Sequence, residues 1–88
     1  MSGGFTIHFP AKIGDVVYAV TKNGYIQKEV VTGYMVRGDG GDQIEVRLTH
    51  LDRFRETYTR RVSAGEFGKT IFPMESQAIL ALRERLGV

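Results

Sequence analysis

Apolar and polar residues alternate with a period of two along most of this chain, and the period changes once, near residue 73. Residues 43–49, QIEVRLT, alternate most cleanly. Ile44, Val46 and Leu48 fall on one side of a strand, with Gln43, Glu45, Arg47 and Thr49 on the other. Residues 16–21, VVYAVT, are β-branched and aromatic and predict a second strand. They lead into Asn23-Gly24, a strong hairpin signal because both residues tolerate positive φ. The return strand, 25–37, carries Ile26, Val30, Val31, Tyr34 and Val36. Gly33 inside it predicts a bulge or sharp bend.

Shorter signals fill the remainder. Residues 5–9 alternate Phe5, Ile7 and Phe9 against Thr6 and His8 and predict a short strand. Residues 10–15 read as a turn around Pro10 and Gly14-Asp15, and 38–42, GDGGD, as another. Residues 50–62 fit two periods. As a helix, Leu51, Phe54, Tyr58 and Val62 share a side; as a strand, Phe54, Tyr58 and Val62 do. The Thr57-Tyr58-Thr59 cluster favours a strand over 53–62, after a turn at 50–52. A turn at 63–68 and a short strand at 69–72 follow.

Beyond Pro73 the spacing becomes helical, with Ala78, Ile79, Leu82 and Leu86 three and four apart. Glu75 at one end and Arg83 and Arg85 at the other suit the helix dipole, and Gly87 is a natural stop. The expected fold is therefore mainly β with a C-terminal α-helix: a small SH3-like or partly open barrel of about five short strands. It spans 5–87 as one domain, and 1–4 form a flexible N-terminus. The helix is expected to cover an open end or edge and to bury Ile79, Leu82 and Leu86.

Composition narrows the range of functions. A chain of 88 residues forms one small domain, and such a domain buries only about 60% of its unfolded surface. With no cysteine, neither a disulfide nor a thiolate-bound metal can reinforce so thin a core. No run approaches the roughly 18 apolar residues of a membrane span, and residues 1–5 lack the basic and apolar regions of a signal peptide. A bacterial cytoplasmic location is the expectation. Twelve Lys and Arg against ten Asp and Glu leave a net charge of only +2, which does not by itself point to nucleic acid.

Catalytic chemistry finds little support. His8 and His50 lack metal-ligand spacing, and neither Ser63 nor Ser76 sits in a Gly-x-Ser-x-Gly elbow. Asp39 and Asp42 flank glycines without calcium-loop or phosphate-loop spacing. No enzyme activity, cofactor or metal is expected. The stretch RFRETYTRR is basic: Arg53, Arg55, Arg60 and Arg61 outnumber Glu56. On a strand, Arg53, Arg55 and Arg61 share a face with Thr57 and Thr59, and Arg47 can join from the next strand. Such a face suits phosphates or acidic side chains, although a solvated outer face reads the same way. Tyr25 near the hairpin tip and Tyr34 beside Gly33 are expected to be partly exposed, and tyrosine and arginine are enriched at interface hot spots.

Ile13, Gly14, Asp15, Val17 and Tyr18, followed by Phe67, Gly68, Lys69, Phe72, Ala78 and Leu82, match an IGDxVY … FGKxxFxTxEEAxxxL pattern. In this the chain resembles a loose class of short proteins from bacterial, often Firmicute, genomes and their phages and mobile elements. The resemblance spans most of residues 5–82 and implies fold more than function. Proteins of similar size and origin include inhibitors of host defence, anti-CRISPR proteins among them. One position departs from the pattern. Met74 stands where threonine would cap the helix, and a lost cap costs about 1 kcal/mol. Either the helix starts later, with Ser76 as its cap, or a partner covers Met74.

The leading expectation is a non-enzymatic interaction protein of phage or mobile-element type. It would bind, and inhibit, a host protein such as a CRISPR effector, using Arg47, Arg53, Arg55, Arg61, Tyr25, Tyr34 and Met74. The alternative is a nucleic-acid-binding small barrel using the same arginines, with tyrosines stacked on bases. Self-association is a further expectation for so thin a core.

Overall fold

The computed structural model describes residues 9–38, 43–51 and 57–87. The strands are β1 (Val16–Val20), β2 (Ile26–Arg37), β3 (Gln43–Leu51), β4 (Thr57–Ser63) and β5 (Ile71–Phe72). A 3-10 turn (Ala64–Glu66) follows β4, and a helix, α1 (Glu75–Leu86), ends the described chain. The strands form one sheet in the order β4-β3-β2-β1-β5, with every strand pair antiparallel. The sheet does not close, so β4 and β5 are its edges.

Local chemistry sets the register. Thr21 N–H donates to Tyr25 O at 2.8 Å and Gly24 N–H to Thr21 O at 3.1 Å, closing a hairpin around Lys22-Asn23-Gly24. Gly24 takes a φ of 85°, the left-handed position such a loop requires. This closure aligns Val20 with Ile26 and carries the pairing through to Val17 opposite Glu29. Further along β2 the register shifts between Val31 and Gly33, where two residues, Thr32 and Gly33, occupy one step of β3. The bulge anticipated at Gly33 is present.

The inner face holds a single cluster of Val17, Ala19, Val31, Val46, Leu48 and Ile71, each at most 2% exposed. Ala11, Ala64 and Phe67, from the segments before β1 and after β4, pack against it. Ladder pairing continues past β1, with Gly14 N–H donating to Val31 O and Val31 N–H to Asp15 O. The turn expected at 10–15 is closed by Asp15, whose carboxylate accepts from Lys12 N–H at 2.9 Å.

Helix α1 packs on β1, β5 and β2, and Arg85 donates from its guanidinium to Thr21 O, tying the helix end to the hairpin. Gly87 caps the helix with φ 75°, as expected of a stop. The helix starts at Glu75 with Met74 as an N-cap that makes no side-chain bond, so it does not move to Ser76. Its buried residue is Ala78; Ile79 and Leu82 are half-buried, and Leu86, expected inside, is 63% exposed.

Three boundaries differ from expectation. β3 runs through His50 to Leu51, because both residues pair with β4 where a turn was expected. Lys69 and Thr70 belong to a turn rather than a strand, since their N–H groups bond to Glu66 O. Of the expected strand 5–9, residues 5–8 lie outside the described residues, and Phe9 is not in a strand. Residues 1–4, 39–42, 52–56 and 88 also lie outside, and with them Arg53 and Arg55. Among the described residues no helix is long and apolar enough to cross a membrane.

Candidate interaction surface

The outer face of the sheet is built by the strand register. Arg47 on β3 sits directly opposite Arg61 on β4, and Thr49 opposite Thr59. Like charges facing each other across a ladder are unfavourable. Here the conflict is relieved sideways. The Arg47 guanidinium turns toward β2, with Nη2 donating to Thr32 O at 3.0 Å and Nε to Thr32 Oγ1 at 3.3 Å. That position explains Gly33, whose φ is unexceptional: a Cβ there would lie 2.8 Å from Arg47 Nη2. The bulge therefore supplies both the carbonyl that holds Arg47 and the space it crosses.

Three threonines continue the surface. Thr32 and Thr49 hydroxyls lie 3.1 Å apart and those of Thr49 and Thr59 3.0 Å apart, a hydroxyl ladder across β2, β3 and β4. Lys28 on β2 is exposed and, by alternation from Val30, shares this face. Glu45 is there too, but Arg37 Nε pairs with it at 2.8 Å. Among the described residues, Lys28 and Arg61 have no carboxylate partner and Arg47 is held only by Thr32. The depression between Tyr34, Met35, Glu45, Arg47 and Arg61 is about 80 Å³, far below the roughly 300 Å³ at which small-molecule sites begin.

The predicted contact residues do not share one surface. The bulge turns Tyr34 to the inner face, opposite Val46, where its ring meets Phe9 with centroids 4.4 Å apart. Burial raises the Tyr34 phenol above its ordinary pKa; the Ala11 backbone works against that shift and the Asp15 charge adds to it. Tyr25, 53% exposed, lies at the β1–β2 hairpin, and Met74, 57% exposed, at the start of α1. Arg47 and Arg61 are thus brought together, while Tyr25, Tyr34 and Met74 are placed elsewhere.

Sequence reasoning missed a polar cluster on the inner face. Glu29, 1% exposed, is a carboxylate inside the core layer. Arg60 meets both its oxygens, Nε to Oε2 at 3.0 Å and Nη2 to Oε1 at 2.7 Å. This bidentate bond raises the Arg60 pKa; partial burial opposes it, and the charges of Glu29 and Glu66 add to it. Gln27 Nε2 donates to His50 Nδ1 at 3.2 Å, and His50 stacks on Tyr58 with centroids 5.2 Å apart. The hairpin count would have found Glu29, because pairing Val20 with Ile26 places residue 29 opposite Val17.

Beside this cluster a groove of about 580 Å³ runs between the β1–β2 hairpin and β4, lined by Lys22, Gln27, Arg60, Arg61, Val62 and Glu66 among others. It lies where a closed barrel would have joined its edges. Among the described residues no three His, Cys, Asp or Glu side chains gather as a metal site. Comparison with known proteins finds no family model, no curated protein and no solved structure that matches this chain.

Proposed function

We propose that this chain is a non-enzymatic binding module that engages an acidic protein surface through the outer face of its sheet. The observation that carries the reading is Arg47 directly opposite Arg61 on an exposed face, with Lys28 further along the same face and no carboxylate partner for any of them among the described residues. Two arginines aligned against their mutual repulsion suit an anionic counterpart, and the Thr32–Thr49–Thr59 hydroxyls add neutral donors between them. Tyr25 at the hairpin and the Tyr34 ring on the inner face stand apart from Arg47 and Arg61, which favours protein over single-stranded nucleic acid, whose sites set aromatics beside the cations. The inner-face polar groups support a non-catalytic role. Glu29 is occupied by Arg60 and His50 Nδ1 by Gln27, so no nucleophile stands against a poised base there.

The resemblance to short phage and mobile-element proteins supplies the kind of partner: a host protein, such as a defence component, inhibited by occlusion of an acidic site. An Arg47→Glu/Arg61→Glu double variant tests the reading. The unmodified protein should capture a bacterial partner from nuclease-treated lysate, and the double variant should lose that partner while keeping its fold. Retention of the partner by the double variant overturns the reading. Binding of DNA or RNA with a steep loss on adding salt transfers the face to nucleic acid.

A further inference from the structure

The two edges of the open sheet are unequal. β5 is two residues long, with α1 packed against it. β4 is seven residues long, and among the described residues no strand lies on its far side. Except for Val62, every β4 residue is exposed. Such an edge is a template for another chain. The groove of about 580 Å³ runs along it.

The chemistry of the edge selects the occupant. β4 carries Arg60 and Arg61 and no acidic residue. A second copy is a poor fit. Antiparallel pairing centred on Arg60, the register of greatest overlap, sets it against its twin, and one of the two neighbouring registers sets Arg60 against Arg61, so two of the three longest registers put like charges opposite. Arg60 is taken up by Glu29, but Arg61 has no carboxylate partner among the described residues and favours an acidic strand, which would also meet Lys22, as well as Glu66, across the groove. A strand alternates its sides. One side of an added strand would face Thr57, Thr59 and Arg61, and the other would face Arg60 and the partly buried Val62.

We infer that β4 is the docking edge for an extended acidic segment of a partner protein, which adds to the sheet as a sixth strand. This rests on the proposed acidic-partner reading and specifies its mode. The segment carries acidic residues on the side facing Arg61 and apolar residues on the side facing Val62. Backbone bonds hold it, and charge selects it. The two arginines thus weigh against self-pairing, and Arg61 leaves the edge open to an acidic strand.

The test uses the full chain and a labelled, blocked heptapeptide alternating Glu with Val, followed by fluorescence anisotropy and amide hydrogen exchange. The expected result is binding at least about tenfold tighter than a Lys-for-Glu peptide, weakening with Arg61→Glu, and slowed exchange at Thr59–Val62. Two N-methylated versions of the peptide, one for each set of alternate nitrogens, isolate the backbone. One frame should abolish binding and the other spare it, because only one set of N–H groups faces β4. Equal effects of the two frames, unchanged exchange in β4, or equal binding of the Lys peptide overturn strand addition. If Arg47→Glu/Arg61→Glu still loses the lysate partner after such a result, the acidic-partner reading survives and only the edge mode fails. If that variant keeps the partner, the broader reading fails.

Discussion

Arg60 and Arg61 are adjacent in sequence and face opposite sides of β4, and their partners differ. Arg60 reaches across the inner face and grips a buried carboxylate with two bonds. Arg61 stands on the outer face opposite another arginine, with no carboxylate partner among the described residues. The first arrangement is structural: a buried charge is tolerable only while its partner is present. The second has no carboxylate partner among the described residues, and the proposed acidic counterpart would supply one. Charge count alone would have scored the two equally.

The contrast can be broken from its strong side first. Arg60→Met strips buried Glu29 of its bidentate partner, leaving only His50 Nδ1 at 3.9 Å, and should cost about 3 kcal/mol of stability in urea unfolding. A Glu29→Met/Arg60→Met double variant should recover most of that loss. If the single variant unfolds no earlier than the parent, the pair is not structural.

A smaller effect is expected where the outer face is built. Gly33→Ala places a Cβ 2.8 Å from Arg47 Nη2, and because that guanidinium is the flexible end of an exposed side chain, displacing it from Thr32 should cost under about 1 kcal/mol. In an Arg47→Ala background the same substitution should be nearly neutral. A penalty that persists there would show that the backbone, not Arg47, demands glycine. Met74→Ser supplies the missing helix cap at a residue already in extended conformation, φ −127° and ψ 139°, and should gain about 1 kcal/mol in thermal or urea unfolding.

Arg61→Ala should change stability by less than about 0.5 kcal/mol while weakening partner capture, the reverse of Arg60→Met. Alkaline titration gives the smallest signal. The folded chain favours the neutral Tyr34 phenol, so its contribution is intact below the ordinary value of 10.0 and is lost as pH rises through the raised folded value. Tyr34→Phe should flatten that part of the stability-against-pH curve.

Strand and helix placement was largely legible because it depends on local spacing. Ile44, Val46 and Leu48 announced their side of β3, and Pro73 with the stripe from Ala78 announced the helix. The face assignments needed pairing between strands. Val30 and Val31 are both apolar, so alternation alone could not decide which faced inward, and Glu29 passed as an ordinary surface residue. Only the hairpin register, carried across three strands, brings Glu29 to Arg60. Tyr34 was separated from the arginines by the one-residue shift at Thr32, whose presence Gly33 signalled but whose effect on facing it did not. Leu86 is 63% exposed despite its place in the helical stripe, so periodicity alone did not decide its burial.

The bulge at Thr32 gives β2 two reading frames. Before it, odd-numbered residues such as Glu29 and Val31 face the core; after it, even-numbered ones such as Tyr34 do. The bulge, not the residue count, sets the facing of the far half. Deleting Thr32 would only straighten the strand, because Val31, Gly33 and Tyr34 would then alternate regularly on their present faces, whereas regular pairing at full length would turn the far half over and present Met35 and Arg37 to the side now occupied by Tyr34.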